Sequence, residues 1–466
     1  MFKYPDKYNR SHTIEEVDLN FKLLENDQTQ VSISGRIISK RSMGGIIFFH
    51  IQDGTGKLQC CAVKKMMDAD IFASVKKDLK VGDIIGVQGS VVITRTGEKT
   101  VSINKIQILN KSMRDLPEKY HGLVDQELRY RKRYLDLIMN HQVREIFEKR
   151  SLLMHNIRTF LINEKFVEVE TPVLQKSPCG ASANPFKTHH DALDMDFYLR
   201  ISPETFLKQL IVGGMEKIFE IAKNFRNEGT DPSHLQEFTM LEFYVVYWNY
   251  LHNRDFIQLL LKTVIQQTMN TMQFSIESNE IDFSGEWQSV TFQDLVLADC
   301  GIDVLAYNEI EKLKEAINKK GIDLGDVEKV SIGTLIDKLY KKVSRPKLIQ
   351  PTFLMNHPAT LIPLARINDE DPRVVDSFQL LVNGWEVVKA YSELADPILQ
   401  RQLLEDQVEK REAGDDEAMF LDEDFLVSLE HGMHPVSGLG LGIDRLVCIL
   451  TGQSNLREVV FFPQMK

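Results

Sequence analysis

The chain has 466 residues, with 56 Lys+Arg against 67 Asp+Glu and a formal net charge of −11. At about 150 residues per domain this is a two- or three-domain protein, and 43% hydrophobic with 26% charged residues excludes a disordered chain. The acidic total argues against a nucleic-acid partner, but residues 1–117 carry +5 and residues 118–466 carry −16, the asymmetry expected when only one domain meets a polyanion.

In chain order, residues 31–109 read as short strands with turn punctuation. Val31–Ile38, Ile46–Ile51, Lys57–Val63, Val81–Ile93 and Thr100–Ile103, with a helical stretch near 65–77, fit a small closed barrel of the oligonucleotide-binding (OB) type. A purely structural barrel fits the same pattern. After Pro117 the run Arg129-Tyr-Arg-Lys-Arg-Tyr134 reads either as a solvated helix face or as a phosphate contact in a hinge spanning 118–142. Ile146, Leu153, Ile157, Phe160 and Leu161 then show helical spacing, so a long helix over 143–163 begins a second domain, 143–466. Mixed strands and helices follow to the end, which makes the fold class α+β. The Lys/Glu-rich stretch 306–345 reads as a helical insertion.

Ile218–Arg226 alternates like a strand, with Glu220, Asn224 and Arg226 on one face. A polar loop, 227–236, leads to a second run in which Phe238, Glu242 and Tyr244 share a face. Gly438-Leu-Gly-Leu-Gly-Ile-Asp-Arg445 runs into an apolar helix start. It is neither a dinucleotide fingerprint nor a Walker A loop; its glycines serve close packing or close approach to a ligand. No apolar run reaches the roughly 18 residues of a membrane span, and no secretory leader is visible at the start. Five scattered cysteines without a Cys-x-x-Cys pair suggest neither zinc nor a disulfide framework. The expectation is a cytoplasmic protein.

Taken together these segments carry a resemblance. Phe166-Val-Glu-Val-Glu-Thr-Pro172, Arg226-Asn-Glu-Gly229 with His234 and Glu237-Phe238, and Gly438–Arg445 resemble, in order, motifs 1, 2 and 3 of the class II aminoacyl-tRNA synthetases. His121–Gln126, Arg131–Asp136, Thr188-His-His190, Val212-Gly-Gly214, Tyr391–Leu394, Ala413–Met419 and Phe462–Lys466 make the likeness that of the lysyl branch of class IIb, over nearly the whole chain. It implies an N-terminal OB-fold anticodon-binding barrel over 1–117 and a catalytic domain on an antiparallel sheet with flanking helices, dimerised through motif 1. The implied reaction joins the carboxylate of L-lysine to the α-phosphate of ATP, then passes the lysyl group to the 3′ end of tRNA(Lys).

The same resemblance assigns residues. Arg226 would hold the α-phosphate and the amino-acid carboxylate, Arg445 the γ-phosphate, and His234 the outer phosphates. Phe238 would stack on the adenine and Glu228 would meet its amino group. Glu204 would take the α-amino group; Glu242, Glu393 and Tyr244 would take the ε-ammonium, with Tyr391 beside them and Gly180 leaving room. Clustered carboxylates repel and cost desolvation unless a cation joins them, which a dicationic substrate does; pairing with protein arginines is the other way to satisfy them. Arg41, Phe48, Gln59 and Glu98 match anticodon-contacting positions, although Phe48 could equally be a core residue.

Departures stand beside the matches. The family's Mg²⁺ pair is two glutamates; here Glu386 remains and Gln379 takes its partner's place. Lys389 replaces the usual Asn and Val388 a small residue, Leu235-Gln236 replaces Asn-Pro, and Cys179 replaces Gly. An unpaired lysine about 4 Å from a substrate ammonium would cost about 4 kcal/mol at an effective dielectric near 20, so Lys389 is expected to pair with an acid at the pocket edge. A relative activating another amino acid, or a tRNA-binding paralogue without charging activity, are the alternatives these departures raise.

Overall fold

In the computed structural model, which describes residues 4–117, 123–229, 231–328, 330–412 and 418–465, the chain divides into two units, Met1–Val124 and Asp125–Lys466. Five strands of the first, β1 (Gln30–Met43), β2 (Ile46–Gln52), β3 (Lys57–Val63), β4 (Ile84–Ile93) and β5 (Lys99–Asn110), close into a barrel in the order β1-β2-β3-β5-β4. Alternation drives this closure: Ile33, Ile37, Ile47, Phe49 and Ile51 point inward and are fully buried. A register shift between Ile37 and Ser39 bends β1, so that one long strand pairs with β4 and then with β2. The helix Ala69–Asp78, capped by Asp68, adds Phe72 and Val75 to the core.

The second unit is built on an eight-stranded mixed sheet. Its strands are β6 (Val167–Glu168), β7 (Lys217–Phe225), β8 (Glu237–Val246), β9 (Gln288–Thr291), β10 (Thr352–Met355), β11 (Ser377–Val382), β12 (Trp385–Ser392) and β13 (Val436–Gly442). Their order is β9-β10-β11-β12-β13-β8-β7-β6, antiparallel except at the two edges. Four helices matter to the site: α1 (His141–Asn163), α2 (Glu204–Val212), α3 (Tyr250–Met269) and α4 (Ile443–Leu450). Leu153, Ile157 and Leu161 of α1 and Ile257, Leu261 and Ile265 of α3 join the apolar side of the sheet in the largest core. Helices Ile310–Lys319 and Ile332–Val343 pack Leu313, Ile317, Leu335 and Leu339 into a second cluster with Leu354 of β10 and Leu381 of β11.

The basic run at 129–134 is divided: Arg131, Lys132 and Tyr134 are exposed, whereas Arg129 and Arg133 are taken up by acids. Arg133 is fully buried, 2.6 Å from Asp136, and donates to the carbonyls of Arg457 and Phe461. Arg129 reaches Asp136 at 3.0 Å and Glu458 at 3.1 Å, and Tyr130 Oη donates to Glu458 at 2.9 Å. A nearby hidden acid, Asp136, and a distant one, Glu458, 329 residues from Arg129, hold these two arginines, and the stretch from Asp125 to 142, read as hinge, folds as part of the second unit. His121, Gly122 and residues 413–417, which help carry the resemblance, lie outside the described residues.

Candidate active site and nucleic-acid interface

β7 and β8 form a hairpin whose register sets Glu220 opposite Glu242 and Asn224 opposite Phe238. Arg226 follows β7 immediately, its backbone N–H bonded to Gln236 O at 2.9 Å. Its guanidinium lies 5.1 Å from the centre of the Phe238 ring, and its Nε is buried with no hydrogen-bond partner among the described residues. His234 is exposed and bonded to Asp231 at 2.7 Å. Glu228 sits in the same loop, half-buried. β13 pairs with β8 on one side and β12 on the other, then turns directly into α4, whose first turn holds Arg445. Asp444 anchors that turn by accepting from Thr239 N and pairing with Arg150 of α1.

Arg445 donates to Glu386 O at 2.8 Å, and Arg345 donates to Gly384 O at 2.7 Å. Burial first, then the neighbouring guanidiniums of Arg345 and Arg226, pull the Arg445 pKa below its ordinary value against the attraction of Glu386. Burial alone would raise Glu386; the charges of Lys389, Arg445 and Arg345 outweigh it and hold this carboxyl low. Cations thus outnumber acids here, which is the electrostatic signature of a polyanion site. Arg345, delivered by the end of the 306–345 stretch, was missed in the sequence because no spacing linked it to the motifs.

The second half of the site is acidic. Glu204 opens α2; Tyr391 Oη donates to its Oε1 at 2.6 Å. Ser202 Oγ donates to Glu242 at 2.8 Å, and Tyr244 Oη donates to the same carboxylate at 3.3 Å. Glu204, Glu242 and Glu393 are all buried. Burial, then the charge of Glu204, pushes Glu242 up to about 8. Burial likewise pushes Glu393 up to about 8, against the pull of Lys208. Gly180 has φ of +99°, and a Cβ there would stand 3.1 Å from Glu204 Cβ, so it does leave room for the acid.

The cation joining these acids within the protein is Lys208, one helical turn beyond Glu204. Its side chain is fully buried, with Nζ 2.7 Å from Glu204 Oε1 and 2.5 Å from Glu393 Oε2. Burial would lower its pKa; the two carboxylates outweigh that and raise it. An (i, i+4) Glu–Lys pair was visible in the sequence, but such pairs usually lie on a helix surface, so nothing marked this one as internal. Lys389, expected to pair with an acid, makes no ion pair or hydrogen bond among the described residues. It stands opposite Gln379 and Gly440, and its charge, after burial, helps push His357 down to about 4.

Glu386 and Gln379 supply one carboxylate and one amide in a field of cations, and among the described residues no three His, Cys, Asp or Glu side chains are grouped to hold a metal. This donor set does not fit a divalent ion held by the protein alone.

In the barrel, Phe48 faces outward between buried Ile47 and Phe49 and is absent from the core. Arg41, opposite it in register, lies 5.2 Å from its ring centre and donates to Gln59 at 3.4 Å. Gln59 is buried and bonded to Thr100; Glu98 pairs with His50 at 2.8 Å. Phe48 on β2 and Arg41 on β1 thus lie side by side on the outside of the barrel, with the Gln59 side chain buried beneath Arg41.

An OB barrel joined to a mixed sheet that displays motif arginines is the architecture of one class of enzyme, and the comparisons agree. Residues 125–466 match the family model for class II tRNA synthetases (D, K and N), and residues 31–109 match that for an OB-fold nucleic acid binding domain. The chain belongs to the class II tRNA synthetases. It is 46% identical over 463 residues to the lysine–tRNA ligase of Pelotomaculum thermopropionicum, covering 99% of this chain and 91% of that one. It is 41% identical over 471 residues to that of Haemophilus influenzae (99% and 93%) and 44% over 437 residues to that of Aquifex aeolicus (94% and 73%).

Proposed function

We propose that this protein activates L-lysine with ATP and transfers the lysyl group to the 3′ end of tRNA(Lys). The observation carrying this reading is the pocket of three buried glutamates with two tyrosines, whose charge suits a diamino acid. Arg226, beside Phe238 at the end of β7, binds the α-phosphate together with the lysine carboxylate. A carboxylate oxygen attacks the α-phosphorus and the bond to pyrophosphate breaks, so lysyl-adenylate forms without proton transfer. Arg226, Arg345 and Arg445 offset the charge that develops on the phosphates. Phe238 stacks on the adenine, Glu228 meets its amino group, and His234 reaches the outer phosphates. In the second step the tRNA hydroxyl attacks the carbonyl and AMP leaves.

Glu204 receives the α-ammonium, while Glu242, Glu393 and Tyr244 receive the ε-ammonium. Mg²⁺ enters as the counter-ion of ATP, since Glu386 and Gln379 do not build a site alone. Retained arginines and the shared name of the three relatives speak against another amino acid or a non-charging paralogue. A homodimer through motif 1 is supported by exposed apolar residues there, Leu152 and Ile162 of α1 and Val167, Val173 and Leu174 after it. No helix among the described residues is long and apolar enough to cross a membrane, and the cysteines are free; we place the enzyme in the cytoplasm.

The test is ATP–pyrophosphate exchange across the twenty amino acids, followed by charging of total tRNA. Exchange with lysine and charging of tRNA(Lys) are expected; exchange with a different amino acid, or with none, overturns the reading. Two variants refine it. Phe48→Ala is expected to raise the tRNA KM by about 5- to 150-fold, as loss of one base stack costs about 1–3 kcal/mol, while lysine-dependent exchange serves as the unaffected control. Lys389→Asn is expected still to exchange with lysine, because the cation contacting the pocket acids is Lys208; a switch of amino acid in that assay would contradict it.

A further inference from the structure

The amino-acid pocket contains a lysine of its own. Lys208 places its ammonium between Glu204 and Glu393 at hydrogen-bonding distance from both, with its side chain fully excluded from solvent. The rings of Tyr391 and Phe425 flank it at 5.7 and 5.6 Å. Three carboxylates, Glu204, Glu242 and Glu393, meet in this volume, whereas lysine brings two ammonium groups. One negative charge is therefore in excess, and buried excess charge is resolved by proton uptake rather than tolerated.

We propose that Lys208 sets the charge of the amino-acid pocket, cancelling one carboxylate permanently and tying Glu204 to Glu393, so that the two remaining negative charges match the two ammonium groups of the substrate. The role rests on the lysine reading given above. Lys208 acts through the glutamates and is a positioning residue rather than a catalytic one. The groups facing it and the acids are few. Tyr244 and Tyr391 stay protonated, as burial and the acids push both well up. Burial and Asp422 hold the Cys179 thiol up and neutral. Glu220, behind Glu242, is paired with Arg200 at 2.6 Å.

The sign of the pH effect follows. In the wild type burial pushes Glu242 and Glu393 well above the ordinary carboxylate range, and only their ionised forms attract an ammonium, so the KM for lysine falls as pH rises. With Lys208 neutralised, mutual repulsion among the acids is uncompensated and the fall moves to higher pH.

The experiment measures the KM for L-lysine by ATP–pyrophosphate exchange between pH 6.5 and 9 in the wild type, Lys208→Gln, Lys208→Met and Lys208→Arg. The neutral variants are expected to raise the KM at pH 7 about 10- to 100-fold and to shift its pH dependence upward by about one unit, a tenfold change per unit, with kcat changed less. Lys208→Arg, which keeps the charge, is expected to keep the wild-type pH dependence. Superimposable profiles for Gln, Met and wild type overturn the proposal, as does an Arg profile that tracks Gln. Calorimetry on the wild type needs no variant to fold: at pH 7 lysine binding should release protons from Glu242 and Glu393, and release of none overturns the proposal. A wild type that shows no lysine-dependent exchange overturns the functional reading and this role together; a responsive wild type with unshifted variants overturns this role alone.

Discussion

Gly438→Ala is expected to lower kcat/KM for lysine in the exchange assay by about 100-fold or more. A Cβ at this position would stand 2.3 Å from Tyr244 Cε1 and 2.4 Å from Glu393 Oε1, closer than any real contact. The backbone cannot withdraw, because Gly438 is in register with Tyr244 of β8 on one side and Tyr391 of β12 on the other. Its carbonyl also accepts from Asn253 of α3 at 3.3 Å. The side chains must yield instead, and both belong to the ammonium pocket, where a displacement of about 1 Å is enough for a roughly 100-fold loss. A stability loss of about 1–3 kcal/mol should accompany it, read by thermal or urea unfolding. Gly440→Ala is the control: its Cβ would press only on flexible Met240 Sδ at 3.3 Å, while Glu242 Cγ at 3.9 Å and Lys389 O at 4.0 Å stand at ordinary contact distance. Activity of Gly438→Ala within threefold of wild type would mean that the pocket does not use Tyr244 and Glu393 as proposed.

The second large effect concerns Arg226. Arg226→Ala should reduce lysine-dependent exchange by about 10²–10³-fold, the scale for removing one preorganised charge-stabilising donor. Arg226→Lys should not restore it, because a point charge lacks the planar fork that spans two oxygen groups. The accompanying signature is the sign of the stability change. Arg226 Nε is buried without a hydrogen-bond partner, and neighbouring Arg445 already feels its repulsion. Removing a cation held for function relieves the fold, so the melting temperature of Arg226→Ala should equal or exceed that of the wild type. A variant that is both active and less stable would assign this arginine to structure.

Local periodicity made the barrel and the β7–β8 hairpin legible, since period-2 alternation reports directly on which side chains face inward. The motif residues were legible too: Arg226, Arg445, Glu393 and the β8 pair Phe238 and Glu242 come from four stretches, yet the fold gathers them into two groups of opposite charge that share β8. What sequence could not reveal was partnership. Lys208 looks like half of a surface helix pair until α2 is seen packed against β8 with the lysine turned inward to Glu393. Arg129 and Arg133 look like phosphate ligands until Glu458 and Asp136 are seen to hold them. Each case turns on whether a charge has a distant partner, and spacing along one segment carries no record of that.

The network around Glu458 also bears on how the second unit is made. Arg133 bonds to carbonyls 324 and 328 residues further along, and Phe147 stacks on Phe461 at 3.8 Å between ring centres. Until residues 457–461 emerge from the ribosome, Arg133 lacks the carbonyl acceptors, and Arg129 the Glu458 carboxylate, that complete the network around Asp136. The first helices of this unit therefore wait for its last turn, and vectorial folding during synthesis is limited to the barrel, which closes within the first 110 residues. A nascent chain whose residues 457–461 are still inside the ribosome would carry a folded barrel attached to an open, aggregation-prone body.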